Sequence, residues 1–491
     1  MRSVLLTTAV ACAFAALLSS SSQHGYQAEA ASEIRESWSY VKVRENAYMF
    51  WWLMFADLPE SQYKSAPLIV WLQGGPGASS TGFGNFAEIG PQDVHLEPRN
   101  HSWVRFANLL FVDNPVGTGY SYVSNETAFA ANNSQIAADL VTMISFFLTK
   151  MPEFQNVPLY IFSESYGGKM AAEFALALYK AHASGKVSCK LAGVALGDGW
   201  LSPLDSTSTW GQYLYTMSFL DKSNLLTLNK VVSEIRQALV AKQGAKATEL
   251  WASAEDLVEQ LTNGIDWYNI LQPQSEQVAA LNKELPPLGP TTCLAGTNGK
   301  VQRVLAYRRR SGRLLRGRAP AALRIPSRHP GGVDRAYIRN VARFYNGTLA
   351  DLMNGPVKEK LGSIPKNVTW GGQSGEVFKA LKADFMLPAV DTVDRLLNET
   401  DIKVAVYSGQ LDLIVDALGT LQWMEQLKWP GMKDFQAATK TPMVVQGETA
   451  GYHKAFKNLA LYWVLKAGHM VPADAPLAAQ AMAHHITTGQ W

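Results

Sequence analysis

Cysteine is scarce in this chain: 491 residues hold three, Cys12, Cys189 and Cys293. Two cysteines without histidines at ligand spacing cannot fill a zinc site, so no metal is expected. Cys12 falls in a segment expected to be removed, which leaves Cys189 and Cys293. In an oxidising compartment these could form one disulfide; otherwise they are two free buried thiols. A second absence is any long apolar run beyond the N-terminus, so no membrane span is expected once that end is removed. There is no nucleic-acid motif and no basic face interleaved with aromatics, which excludes nucleic acid as a partner. Internal repeats are absent, and no cofactor is implied.

The charge balance needs care. Residues 300–345 hold thirteen Lys or Arg against one acid, Asp334, a local net of +12. The whole chain carries +3, so the rest of it is acidic, at about −9. The segment "RRRSGRLLRGR" (308–318) reads as a solvated, flexible loop.

What is present begins with the N-terminus. Arg2 precedes the apolar run Val4 to Leu18, followed by small residues ending near "AEAAS". That run is shorter than the roughly 20 residues a spanning helix needs. Residues 1–30 therefore read as a secretory signal peptide. Six N-x-S/T sequons agree with that route, at Asn100, Asn125, Asn132, Asn346, Asn367 and Asn398. They mark expected surface positions for glycans. The expected location is the secretory pathway, secreted or lysosomal.

A hydrophobic fraction of 47% and fourteen tryptophans suit a globular chain with a large core. Strand-like runs alternate with helical patterns, the signature of a mostly parallel sheet flanked by helices. The strand candidates are 67–73, 108–113, 158–165, 191–198, 402–409 and 459–468. Several are apolar on both faces, as strands covered by helices on each side should be. Between about 205 and 370 the strands fade and helical spacing takes over. The expectation is an α/β core in two parts, 31–204 and 371–491. A helical cap at 205–370 is inserted between them and contains the basic loop at 295–345.

One stretch carries chemistry. "YIFSESYGG" (160–168) follows an apolar strand and precedes a helix, the place of a nucleophile elbow in an α/β-hydrolase fold. The turn is tight, so the residues two before and two after the nucleophile must be small; here they are Ser163 and Gly167. Ser165 is thus the nucleophile candidate. A hydroxyl attacks poorly unless a base takes its proton. His469, just past a strand in "LKAGHMVPADAP", is the expected base; His453, His484 and His485 lack that setting. Asp412, in the loop after "VAVYSG", is the expected acid. Asp416 competes with it but suits the start of the next helix. Backbone N–H groups of Tyr166 and of Gly75, in "WLQGGPGASS", are expected to form the oxyanion hole.

Taken together, "WLQGGPGASS", "FAEIGP", "FVDNPVGTGYSY", "SESYGG", "YSGQLDLIV" and "AGHMVPADAP" resemble the serine carboxypeptidases, in that order along the chain. Gln73 and "FSESYGGKM" resemble the retinoid-inducible branch of that family. The resemblance implies the triad Ser165, Asp412 and His469. It also implies a pocket for the terminal carboxylate of a peptide, built from Trp71, Gln73, Gly74, Glu88 and Glu164. The implied activity is removal of C-terminal residues at acidic pH through an acyl-enzyme. Acyl transfer or ester hydrolysis by the same triad, and a non-catalytic secreted scaffold, are the alternatives. Peptide or protein C-termini are the implied partners; a homodimer does not follow from the sequence. The chain departs from the family pattern at Gln73, where Asn is usual, at Ala78, where many members have Cys, and at Asp198, where Asn is common. Residues 294–345 match nothing expected of the family.

Overall fold

Apolar strands that must bury both faces can do so only in the middle of a sheet. In the computed structural model, which describes residues 34–272 and 348–489, these strands form the centre of one sheet. In chain order the strands are β1 (Glu36–Arg44), β2 (Ala47–Met54), β3 (Leu68–Leu72), β4 (Asn108–Val112), β5 (Tyr122–Val123) and β6 (Pro158–Glu164). They continue as β7 (Lys190–Gly197), β8 (Lys403–Gly409), β9 (Thr441–Val445), β10 (Glu448–Phe456) and β11 (Leu459–Val464). The order across the sheet is β1-β2-β4-β3-β6-β7-β8-β11-β10-β9, with β5 paired to β2. From β4 through β11 neighbouring strands are parallel. All six sequence-derived strands lie in this parallel block, each ending within a few residues of the expected limit.

The antiparallel flanks are the difference from expectation. β1, β2, β5, β9 and β10 pair antiparallel at the two ends. Their signal was local and easily missed. The β9–β10 turn is Gln446–Gly447, with φ of 51° and 84°, the paired positive values of a two-residue hairpin turn. Pro442 fits β9 because β9 is the sheet edge.

The helices Asn133–Lys150 and Gly167–Ala183 flank the sheet. Their apolar sides, including Ile136, Leu140, Phe147, Met170 and Phe174, are buried against the sheet with Trp51, Val70 and Ile161. Each such fully buried large side chain contributes roughly 1.5–3 kcal/mol. Between β7 and β8 lie the helices Pro203–Thr216, Lys222–Val240 and Gly244–Thr262, with no strand among the described residues. This region grips the loop after β8: Trp210 Nε1 donates to the Ile414 carbonyl at 3.1 Å, and the Trp267 carbonyl accepts from Leu413 and Ile414, both at 3.1 Å.

The expected signal segment 1–30, the whole of the basic stretch 295–345, and Cys12, Cys293 and Asn346 lie outside the described residues. Cys189 is a free, buried thiol, and its tentative partner Cys293 lies outside the described residues. The surroundings of Cys189 are the apolar core, and burial pushes the thiol pKa up. Asn100, Asn125, Asn132, Asn367 and Asn398 are all exposed. Asn125 and Asn132 also cap helices through their side-chain oxygens, which leaves each amide nitrogen available to a glycan. No helix among the described residues is long and apolar enough to cross a membrane.

Candidate active site

The site forms at the C-terminal ends of the parallel strands, where loops meet helix starts. β6 delivers Ser165 with φ of +62°, a left-handed conformation that a non-glycine residue adopts only under constraint. The constraints are visible. Ser165 N–H donates to the Gly197 carbonyl at 3.0 Å, and its own carbonyl accepts from Gly168 at 2.9 Å and Trp200 at 2.8 Å. The Ser163 hydroxyl anchors to the Ala195 carbonyl at 3.1 Å, and Tyr407 donates to the Ser163 carbonyl at 2.9 Å. A Cβ on Gly74 would lie 2.5 Å from the Ser165 Cβ, and one on Gly167 would lie 2.4 Å from the Leu72 carbonyl. Both positions need glycine because the elbow has no room for a side chain there.

The loops after β11 and β8 supply the next pair. His469 N–H donates to the Tyr268 carbonyl at 2.6 Å, and the Tyr268 ring packs edge-on against the imidazole at 4.6 Å. Nδ1 of His469 bonds to Asp412 Oδ2 at 2.7 Å, with both residues fully buried. Nε2 has no hydrogen-bond partner among the described residues. Asp416 does other work: its Oδ1 accepts from Gly419 N–H at 2.9 Å and its Oδ2 from the Thr209 hydroxyl at 2.9 Å. It caps the helix Ala417–Met424, and burial raises its pKa to about 7. His453 and His485 pack with Tyr462, and His484 with Phe106, on β10 and the C-terminal helix.

The Gly75 and Tyr166 amides donate to no group among the described residues. Both sit beside Ser165, Tyr166 as its neighbour in sequence and Gly75 through Gly74. The Tyr166 side chain is locked from behind. Its hydroxyl donates to Asp384 Oδ2 at 2.7 Å, and the buried Lys169 ammonium bonds the same oxygen at 3.0 Å.

Beside the elbow lies a carboxyl cluster. Trp71 Nε1 donates to Gln73 Oε1 at 2.8 Å. An indole can only donate, so the Gln73 amide nitrogen must point the other way. It donates to Glu88 at 3.0 Å and to Glu164 at 2.9 Å. Glu88 and Glu164 are 1% and 2% exposed and share the Gln73 amide; two buried carboxyls this close cannot both ionise cheaply, so one keeps its proton. Burial raises the Glu88 pKa. Burial and then the Glu88 charge push Glu164 well above the usual carboxylate range. A positive charge on the imidazole of residue 469 would favour the Glu88 carboxylate.

The structure thus gathers Trp71, Gln73, Gly74, Gly75, Glu88, Glu164, Ser165 and Tyr166 at one place, and joins Asp412 to His469, whose Nε2 makes no hydrogen bond to Ser165. Sequence reasoning missed two supports. Asp113, in "FVDNPVGTGYSY", accepts from the Ser79 and Thr81 hydroxyls, both at 2.8 Å, and from Tyr120 N–H at 2.9 Å. It fastens the glycine-rich loop that carries Gly75. Asp198 stands behind Asp412. Only the departure from Asn at 198 hinted at a special role there.

Comparison with known proteins finds relatives over nearly the whole chain. A family model described as serine carboxypeptidase matches residues 27–489. The retinoid-inducible serine carboxypeptidase of Mus musculus is 43% identical over 458 residues, covering 93% of this chain and 92% of that protein. Its Homo sapiens counterpart is also 43% identical, over 460 residues, with the same coverage. The serine carboxypeptidase-like 51 protein of Arabidopsis thaliana is 36% identical over 466 residues, covering 93% of each chain. Among solved structures, the prohormone-processing carboxypeptidase Kex1 of Saccharomyces cerevisiae superposes with a TM-score of 0.71. It covers 93% of this chain and 92% of its own, at 19% identity, and shows the shared α/β-hydrolase fold.

Proposed function

The chain belongs to the serine carboxypeptidase family, and on that premise we propose how its residues carry out the hydrolysis. Ser165 Oγ attacks the last peptide carbonyl while His469 Nε2 takes its proton. Asp412 holds the imidazole by Nδ1–H and stabilises the imidazolium that forms. The Gly75 and Tyr166 amides receive the developing oxyanion. His469 then returns the proton to the leaving amino group, and water, activated by the same imidazole, cleaves the acyl-enzyme.

The observation that carries the reading is the Gln73–Glu88–Glu164 cluster beside the nucleophile. A protonated carboxyl, with Gln73 and the Trp71 indole aligning it, can donate to the terminal carboxylate of a peptide. An ester or acyl-transfer substrate without that carboxylate gives this cluster nothing to bind. A blocked dipeptide and its C-terminal amide separate the two. The free acid should be cleaved far faster at mildly acid pH, and equal rates would favour the esterase or acyltransferase reading.

The pH dependence follows from sign. A raised carboxyl pKa keeps the donating O–H present at acid pH and loses it as pH rises through the raised range. KM for peptides should therefore climb toward neutral pH. In Glu164→Gln the donor does not titrate, so the rise of KM should flatten; an unchanged KM profile would contradict this role.

The apolar N-terminal segment and the exposed sequons support passage through the secretory pathway, with glycans at Asn100, Asn125, Asn132, Asn367 and Asn398 and a secreted or lysosomal destination.

A further inference from the structure

We propose that Asp198 is a positioning residue for hydrolysis: its carboxyl O–H donates a hydrogen bond to Asp412 and fixes the carboxylate that receives Nδ1–H of His469. The inference rests on the reading of Asp412 and His469 given above, and it adds a fourth member behind them.

The geometry is specific. Asp198 follows β7 directly and, like Asp412, is 0% exposed. Its φ is +38°, so the chain holds a non-glycine residue in a left-handed conformation at this point. Two contacts with the end of β8 hold it there. Its own N–H donates to the Tyr407 carbonyl at 2.8 Å, and Gly409 N–H donates to its Oδ1 at 2.8 Å. The other oxygen, Oδ2, is buried and accepts from no backbone N–H; the Ser408 hydroxyl and Asp412 stand beside the carboxyl. Gly409, whose N–H bonds Asp198 Oδ1, also accepts from Asp412 N–H at 3.5 Å, so the two side chains meet at the end of β8.

Asp412 has its own lone pairs engaged as an acceptor. Oδ2 takes the His469 bond and Oδ1 takes Val415 N–H at 3.2 Å. Two carboxyl groups can bond only if one keeps a proton. Asp198 faces mostly negative or neutral groups: Asp412 and Ser408 from the β8 side, Glu164 at the end of β6, and the Tyr407 phenol. Burial, and then the Asp412 charge, hold the Asp198 carboxyl well above its ordinary range. The proton therefore resides on Asp198, and the chain of bonds runs from Asp198 O–H to Asp412 to His469.

This makes triad alignment sensitive to pH through a group that never meets substrate. As pH rises through the Asp198 range the donor is lost and two adjacent carboxylates repel. An asparagine at 198 would donate through its amide at any pH while its oxygen kept the Gly409 bond. The effect falls on kcat and on the reactivity of Ser165, whereas the Glu88–Glu164 pair acts through KM.

The test compares Asp198→Asn and Asp198→Ala with the unaltered protein. The readouts are the rate of labelling of Ser165 by a fluorophosphonate, which has no terminal carboxylate, and kcat and KM across pH. Asp198→Ala should slow labelling and kcat by roughly ten- to a hundredfold, the worth of a hydrogen bond to a charged group, with KM nearly unchanged. Asp198→Asn should recover most of that rate and keep it at the alkaline pH where the unaltered protein declines. Labelling of Asp198→Ala at the unaltered rate would overturn the proposal. If Asp198→Ala fails to fold, Asp198→Asn decides: a pH profile identical to that of the unaltered protein overturns it, and an extended alkaline limb supports it. In any of these cases, labelling of the unaltered protein at Ser165 and its loss in His469→Ala show that the underlying triad stands. Failure of that control would instead sink the triad reading.

Discussion

Ser165→Ala is expected to abolish peptide hydrolysis almost entirely, lowering kcat by roughly ten-thousand- to a million-fold. The loss should fall on kcat, because the carboxylate pocket built on Gln73, Glu88 and Glu164 is untouched. Folding should survive. Alanine at φ of +62° keeps the backbone cost that serine already bears. The elbow is held by backbone bonds to Gly197, Gly168 and Trp200, none of which uses the hydroxyl. A melting temperature close to that of the unaltered protein, beside a collapsed kcat, is the expected pair of results. His469→Ala should match it in kcat, because nucleophile and base act as a unit and their losses do not add.

The second large effect separates two aspartates four residues apart. Asp412→Asn should lower kcat by about ten-thousandfold, since an amide facing Nδ1 favours the wrong imidazole tautomer. Asp416→Ala should leave kcat nearly unchanged and cost about 1 kcal/mol in stability through the lost helix cap. The difference follows from their partners: His469 for Asp412, Gly419 and Thr209 for Asp416. Urea denaturation and steady-state kinetics on the same two variants check both halves.

Much of this site could be read from sequence because its parts sit at the ends of strongly apolar strands. β6 announces Ser165, β8 announces Asp412 and β11 announces His469, each by a run of buried residues that stops at a turn. What stayed hidden depends on contacts across the fold. Asp198 carries no local sign of its partner 214 positions away at Asp412. Lys169 lies on a helix whose pattern reads as apolar, yet it is buried, because the chain returns at Asp384 to pair with it. The antiparallel flanks escaped for a different reason. A search for strands separated by helices passes over strands joined by turns of two residues, such as Gln446–Gly447 between β9 and β10.

Peptide mapping by mass spectrometry after fluorophosphonate treatment at mildly acid pH examines whether the imidazole of His469 activates the hydroxyl at the β6 elbow. One adduct on Ser165, absent in His469→Ala and blocked by a competing peptide with a free C-terminus, is the predicted outcome. Folded protein that cleaves peptides while Ser165 remains unmodified, or that carries the adduct on another serine, would contradict it.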